Sequence, residues 1–303
     1  MSQAQFDADL LIVGAGPAGV AAAVMAASLQ LHTIVVEPAR VGEKLHRIGS
    51  VENVPGGWSA GPELAAALEQ DLAQLQAGGQ CRLVRARAVR VTGLDDRAEL
   101  ALDDGHVLTG RVVVVASGVS ELLPADTPWT SVPHHFEPAP LWRASPDHLT
   151  GLTYVLGADR PLGTWLRAHA DARTQLNVLC PPGDDYKAAE VAADERVRLV
   201  PVSHVAITRS TYGPPWTLRV KDRNGQETAY AVTTVLNNLG TKPAAFEGLI
   251  QGADGYCPPP KQHPRILIAG DIRSARYQRI VTAQGSGAEA TLAMYYDLAL
   301  LRP

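Results

Sequence analysis

The segment Gly14-Ala15-Gly16-Pro17-Ala18-Gly19 carries the sharpest chemical signal in the chain. It fits the spacing G-x-G-x-x-G, and an acid, Glu37, stands further along. Each part has a job in holding a dinucleotide. Gly14 permits a tight turn, Gly16 lets bare backbone approach a pyrophosphate, and Gly19 lets a helix pack closely on a strand. A helix that starts there offers unpaired N–H groups and a partial positive charge to phosphate. A carboxylate at Glu37 accepts hydrogen bonds from an adenosine ribose. The cysteines Cys81, Cys180 and Cys257 are far apart in sequence. That spacing excludes a Cys-x-x-Cys dithiol, a four-cysteine zinc site and an ordinary cysteine-ligated cluster, and it argues against a disulfide-stapled scaffold. His134-His135, followed by Phe136 and Glu137, lacks a third ligand, so no metal site is expected. No Ser/His/Asp arrangement, phosphate-binding P-loop or basic–aromatic stripe stands out.

The glycine motif works only between a strand and a helix. Leu10–Val13 is a short apolar run of the kind a buried parallel strand needs. Pro17 falls in the first helical turn, where its missing N–H is tolerated, and the alanine-rich stretch to Leu29 continues the helix. His32–Val36 reads as the next strand and ends at Glu37. A helix is expected over 61–79, with Leu64, Leu68, Leu72 and Leu75 on one face and Gly78-Gly79 as its stop. Short strands over 82–115 end in the apolar run Val112–Val115. The proline-rich stretch 119–148 is a candidate domain crossing. A second strand–turn–helix–strand unit comes next: Leu152–Leu156, the turn Gly157–Gly163, a helix to about Arg173, and Leu176–Leu179. More strands fill 196–236, and the chain closes with a strand at Arg265–Ala269 and a helix from about Arg279 to Leu300.

A chain of 303 residues allows about two domains. Its net charge of −4 and scattered arginines give no basic surface, so nucleic acid is not an expected partner. Leu10–Ser28 is uncharged and long enough to span a bilayer. Asp7 and Asp9 precede it and Gly-Ala-Gly-Pro interrupts it, so a membrane segment or signal peptide is not expected, and the cytoplasm is the expected location.

Ala116-Ser117-Gly118 after one buried strand and Gly270-Asp271 after another complete a pattern. With them, the chain resembles the low-molecular-weight thioredoxin reductase group of FAD-dependent pyridine nucleotide oxidoreductases. The matching segments are Val13–Gly19, Gly42 to Pro55-Gly56 with Val51-Glu52-Asn53, Val113–Gly118 and Ile268–Ala283. The resemblance covers nearly the whole chain. It implies an α/β fold with two Rossmann-like, three-layer nucleotide-binding domains. The FAD domain would occupy 1–118 and 242–303, split by an inserted NAD(P)H-type domain at 119–241. It implies FAD as cofactor, held by the glycine motif and by Glu37 with Pro38. Lys44, Leu45 and Asn53 would line the flavin loop, and Ala116, Ser117 and Gly118 a second turn. Gly270 would lead to Asp271, which would hold a ribityl hydroxyl. Gln278, Arg279 and Ile280 would begin a helix aimed at the flavin pyrimidine edge. A homodimer is a further expectation of the resemblance, and a redox protein, an unusual nicotinamide interaction or a substrate could each exchange electrons with the flavin.

The departures are equally specific. The family relays electrons through a Cys-x-x-Cys pair, and the corresponding region here is near Pro140-Leu141-Trp142-Arg143. Thiolate chemistry needs a thiol, so a dithiol relay there is excluded. The second glycine turn reads Gly157-Ala158-Asp159-Arg160-Pro161-Leu162, with Asp159 where a glycine would admit phosphate. The expected arginine cluster is replaced by Pro181-Pro182-Gly183-Asp184-Asp185, with Arg160 and Lys187 as partial compensation. NAD(P)H is therefore a doubtful second cofactor. The family's Arg-Gln pair is reversed as Gln278-Arg279, and Lys44, His46 and Arg47 add positive charge that would stabilise reduced, anionic flavin. Trp142, Trp165 and Trp216 are candidates to shield a flavin face. No catalytic acid or base is assigned. Three readings stay open: a dithiol-free FAD oxidoreductase, a ferredoxin/flavodoxin–NADP reductase of the same fold, and a non-catalytic or sensory FAD-binding protein.

Overall fold

The computed structural model describes residues 6–51 and 53–300. Glu52, expected in the flavin loop, lies outside them. The chain divides into two compact units, Met1–Ser120 with Lys242–Pro303, and Glu121–Thr241.

The first unit opens with β1 (Ala8–Val13), α1 (Pro17–Ser28) and β2 (Thr33–Val36). β1 and β2 pair in parallel, from Leu10 opposite Thr33 to Val13 opposite Val36. Both are nearly continuous apolar runs because both faces of the sheet are covered. Leu10 and Ile12 face a helical layer, while Leu11, Val13, Ile34 and Val36 face the opposite core. α2 (Gly61–Ala77) buries Leu64, Leu68 and Leu72 at helical spacing. β3 (Cys81–Val84) then adds beside β2. β4 (Ala88–Gly93), β5 (Ala98–Leu102) and β6 (Val107–Val115) form an antiparallel ribbon whose last strand pairs in parallel with β1.

The chain leaves this unit within β7 (Val119–Glu121). The second unit contains β8 (Thr130–Ser131), β9 (Thr153–Leu156), α3 (Pro161–Ala168), β10 (Leu176–Cys180), α4 (Asp185–Ala188) and β11 (Val197–Pro201). β12 (His204–Arg209), β13 (Trp216–Lys221) and β14 (Glu227–Val232) continue as an antiparallel meander, and β15 (Thr234–Asn237) returns beside β9. The parallel sheet β11-β10-β9-β15 has the same plan as β3-β2-β1-β6 in the first unit. α3 stops at Ala168, short of the Arg173 expected from sequence. The Arg196 guanidinium donates to the carbonyls of Leu166 (3.1 Å) and His169 (2.7 Å), satisfying the end of the helix from outside it.

The chain re-enters the first unit within β16 (Thr241–Pro243). β17 (Ile266–Ile268) joins β6 in parallel, and α5 (Ile280–Leu300) lies along α1. Gly287 makes that approach possible, since a Cβ there would overlap the Ala18 carbonyl. Thr291 reinforces it by donating to the Ala22 carbonyl at 3.2 Å.

Gly287→Ala is expected to lower stability by about 1–3 kcal/mol through overpacking, or roughly 2–4 °C of melting temperature per kcal/mol. Gly285, with nothing within 4 Å of its Cβ position, is the control. Gly285→Ala should raise stability by about 0.5–1 kcal/mol through helix propensity. Thermal melts of both variants check the contrast.

Candidate functional site

The carboxyl ends of β1, β2, β6 and β17 meet at one edge of the first unit's parallel sheet. The turn after β1 runs against the turn after β6. Gly14 has φ +100°, and a Cβ there would sit 2.5 Å from the Ala116 carbonyl oxygen. Gly19, buried in α1, has no room for a Cβ against the Gly14 carbonyl. Gly16 is different, because nothing lies within 4 Å of its Cβ position. It is the N-cap of α1 and supplies no capping side chain, and Pro17 comes next at the first turn. The N–H groups and dipole at this helix start are thus presented across bare backbone.

Glu37 is fixed on this turn. Its Oε2 accepts the Ala15 N–H and its Oε1 the Ala39 N–H, each at 2.9 Å. An ionised carboxylate has lone pairs beyond these two bonds for hydroxyl donors. Pro38 is exposed beside it. The Gly42 N–H donates to the Ala15 carbonyl at 2.9 Å, which brings the segment of Lys44 and Leu45 up to the turn. Leu45 anchors the segment in the core, while Lys44 is exposed. Arg47 pairs with Glu43 at 3.1 Å. Asn53 is exposed on the next turn and makes none of these contacts. In the turn after β6, the Ser117 hydroxyl donates to the Ala244 carbonyl at 2.9 Å, and Gly118 takes φ +69°.

Asp271 forms another wall. Gly270 has φ +73°, packs 3.0 Å from the Ala18 Cβ when a Cβ is built on it, and donates its N–H to Ser286 Oγ at 2.8 Å. Burial pushes the Asp271 carboxyl up, and the charges of Lys44 and Arg279 offset this only in part. The Gln278 amide donates to the Asp271 carbonyl (3.3 Å), the Ser274 carbonyl (3.0 Å) and the Tyr256 hydroxyl (3.2 Å), so it braces the loop. From sequence, the N–H groups at the start of the last helix are expected to aim outward. The structure corrects one of them: the Arg279 N–H donates to Thr282 Oγ1 at 3.2 Å, and Ile280 opens α5. Tyr277, just before, is a bulky, exposed residue at φ +61°, a strained backbone. Sequence reasoning missed Ser286 and Gly287. The small-residue triplet Gly285-Ser286-Gly287 is the signal that could have found them.

The residues at this edge fit a dinucleotide: an open backbone at Gly16, a helix start without a side-chain cap, and a carboxylate held beside both.

The second unit repeats the scheme with different filling. Gly157 has φ +82° and lies under the Asn238 carbonyl, and the Ala158 N–H donates to Asp184 Oδ2 at 3.0 Å, as Ala15 does to Glu37. Lys187 Nζ is 3.0 Å from Asp159 and 3.4 Å from Asp184. Burial works against its charge, but the two carboxylates more than offset that and the ammonium titrates above its ordinary value. Lys187 is therefore engaged by aspartates of its own unit, which corrects its reading as a compensating cation. Trp165 is also corrected: it is 3% exposed, with its indole N–H on the Ala144 carbonyl at 2.7 Å, a core residue of its unit. Trp216 meets Phe136 edge-on at 4.7 Å, and Trp142 donates to Glu121 at 3.2 Å with Arg143 over its ring.

Cys81, Cys180 and Cys257 are all buried and unpaired. Burial raises each thiol, that of Cys180 to about 11.

No family model matches the chain. It is 26% identical over 321 residues to the thioredoxin reductase of Mycolicibacterium smegmatis, across 96% of this chain and 97% of that protein. It is 24% identical over 309 residues to the bifunctional thioredoxin reductase/thioredoxin of Mycobacterium leprae, covering 94% of this chain but only 64% of that longer protein. The fold matches Lactococcus lactis thioredoxin reductase in its FR conformation with a TM-score of 0.75 at 17% identity, over 97% of this chain and 99% of the other. A bacillithiol disulfide reductase from Bacillus cereus gives a TM-score of 0.67 at 15% identity, over 96% and 99%. The relatives and structural neighbours of this chain are thus thioredoxin reductase-like.

Thiol titration at pH 7.5 should find almost no reactive cysteine in the folded protein and all three after denaturation. The raised thiol values also fix a sign. The folded state holds these protons longer than the unfolded chain, so stability falls as pH rises from about 9 towards 11. Denaturation curves measured across that range check the direction.

Proposed function

We propose that this thioredoxin reductase-like chain is an FAD-dependent oxidoreductase that moves electrons through the flavin without a dithiol of its own. The observation that carries the reading is the open edge at Gly16 and Glu37 in a chain whose cysteines are scattered and buried. Bound FAD would supply an isoalloxazine ring able to take up and release electrons or hydride. The chain's residues do the rest. The backbone at Gly16 and the start of α1 would hold the pyrophosphate, and Glu37 the adenosine ribose. Asp271 would accept from a ribityl hydroxyl, with its turn set by Gly270 and braced by Gln278. Lys44 and Arg279 act on the charge of Asp271, and cations there would favour a negatively charged reduced cofactor.

A thiol relay needs an accessible thiolate, and burial keeps Cys81, Cys180 and Cys257 neutral. We therefore infer that electrons pass between the flavin and an outside redox protein. One relative whose name joins a reductase to a thioredoxin supports a protein partner. The same reading has the protein working in the cytoplasm as a homodimer. No described helix is long and apolar enough to cross a membrane.

The purified protein should show the visible bands of bound flavin, at once or after reconstitution with FAD. Gly16→Val tests the cradle cleanly, because no atom beyond its chain neighbours lies within 4 Å of the new Cβ. It should leave the melting temperature of the cofactor-free protein unchanged and weaken FAD binding at least ~100-fold, about 2.7 kcal/mol. Protein that takes up no FAD under any condition would rule the reading out. Rapid reduction of an aromatic disulfide by the enzyme with NADPH would rule out its dithiol-free part.

A further inference from the structure

The fold of the second unit implies a nicotinamide nucleotide at the carboxyl end of β9, and the residues present do not fit one. In the first unit the place after the turn is open at Gly16. In the second it holds Asp159, whose carboxylate lies 3.0 Å from a Cβ built on Gly240, where φ is +95°. The turn is also closed from within. The Asp159 N–H donates to the Asn238 carbonyl at 3.3 Å. The Asn238 amide donates back to the carbonyls of Gly157 (3.2 Å) and Asp159 (3.0 Å). The Ala158 N–H is held by Asp184, as the Ala15 N–H is held by Glu37 in the first unit, so the difference between the turns lies at Asp159. The Asp159 N–H is thus turned to the Asn238 carbonyl instead of to a phosphate at the helix start.

The charges point the same way. Lys187 is shared between Asp159 at 3.0 Å and Asp184 at 3.4 Å, and the three side chains are only 20%, 24% and 14% exposed. Asp185, next in line, is held by Arg223 at 3.1 Å. An arriving pyrophosphate would have to strip Lys187 from both carboxylates and then lie beside them. At short range in a half-buried cleft, that like-charge contact is strongly unfavourable.

We infer that the second unit is a self-occluded dinucleotide fold, in which the Asp159 carboxylate on Lys187 fills the phosphate place and neither NADH nor NADPH binds. The carboxylate–ammonium contact does inside the chain what a ligand phosphate would do from outside. Arg160, exposed at the start of α3, is then the only cation of this turn left facing solvent among the described residues. The inference concerns residues of the second unit alone and stands apart from the FAD reading.

The test is calorimetric titration of the full chain, without added FAD, using NADH and NADPH as probes. Wild type should give no binding heat up to millimolar nucleotide. Asp159→Gly vacates the phosphate place and frees Lys187 from the nearer of its two carboxylates, and it should gain at least ten-fold in affinity for one of the two probes. Asp159→Asn keeps the shape, removes the charge, and should gain less. Micromolar binding by wild type would overturn the inference. So would an Asp159→Gly protein that melts like wild type and still binds neither probe. Should Asp159→Gly melt early, Asp159→Asn decides: gain supports the inference and no gain overturns it.

Discussion

Main chain pressed against main chain holds the first unit's candidate binding edge in place. Gly19 lets α1 touch the Gly14 carbonyl, and Gly287 lets α5 touch the Ala18 carbonyl. Gly270 brings a third segment against Ala18. The first turn of α1 is thereby clamped from several sides with no side chain between. Close-packed interiors yield little to such contacts, so the helix start cannot drift relative to Glu37 and Asp271. Precision of that kind is what recognition of a pyrophosphate asks of a helix end.

The two units are variations on one local device. In each, a carboxylate beyond the second strand accepts the N–H just after a left-handed glycine: Glu37 from Ala15, and Asp184 from Ala158. That bond shapes the turn in both. The next residue along sets them apart. Gly16 leaves a gap, whereas Asp159 fills it and draws in Lys187. One residue's difference in bulk and charge thus separates a receptive edge from one satisfied by its own side chains, on the same strand order.

Much of this was legible in sequence where the cause is local. The spacing of Gly14, Gly16 and Gly19 demands a strand, a turn and a helix, and Pro17 marks the helix start. Other parts depend on partners that no local pattern names. Ser286 supports Gly270 from a separate helix, and Lys187 meets Asp159 only because the chain returns through β10. α3 ends early, and Arg196, beyond β10, satisfies the carbonyls left at its end. Trp165 looked available for a cofactor because a single tryptophan says nothing about its surroundings, and tertiary packing places it in a core.

The burial of the three cysteines also bears on how such a protein ages. Sulfur climbs the oxidation ladder from the thiolate, and only where an oxidant can reach it. Cys81 starts β3, Cys180 ends β10 and Cys257 is fully enclosed, and burial favours the protonated thiol in each. Peroxide formed nearby would find no ready sulfur among these cysteines. Its thiols would then keep no covalent record of the oxidants the protein has met.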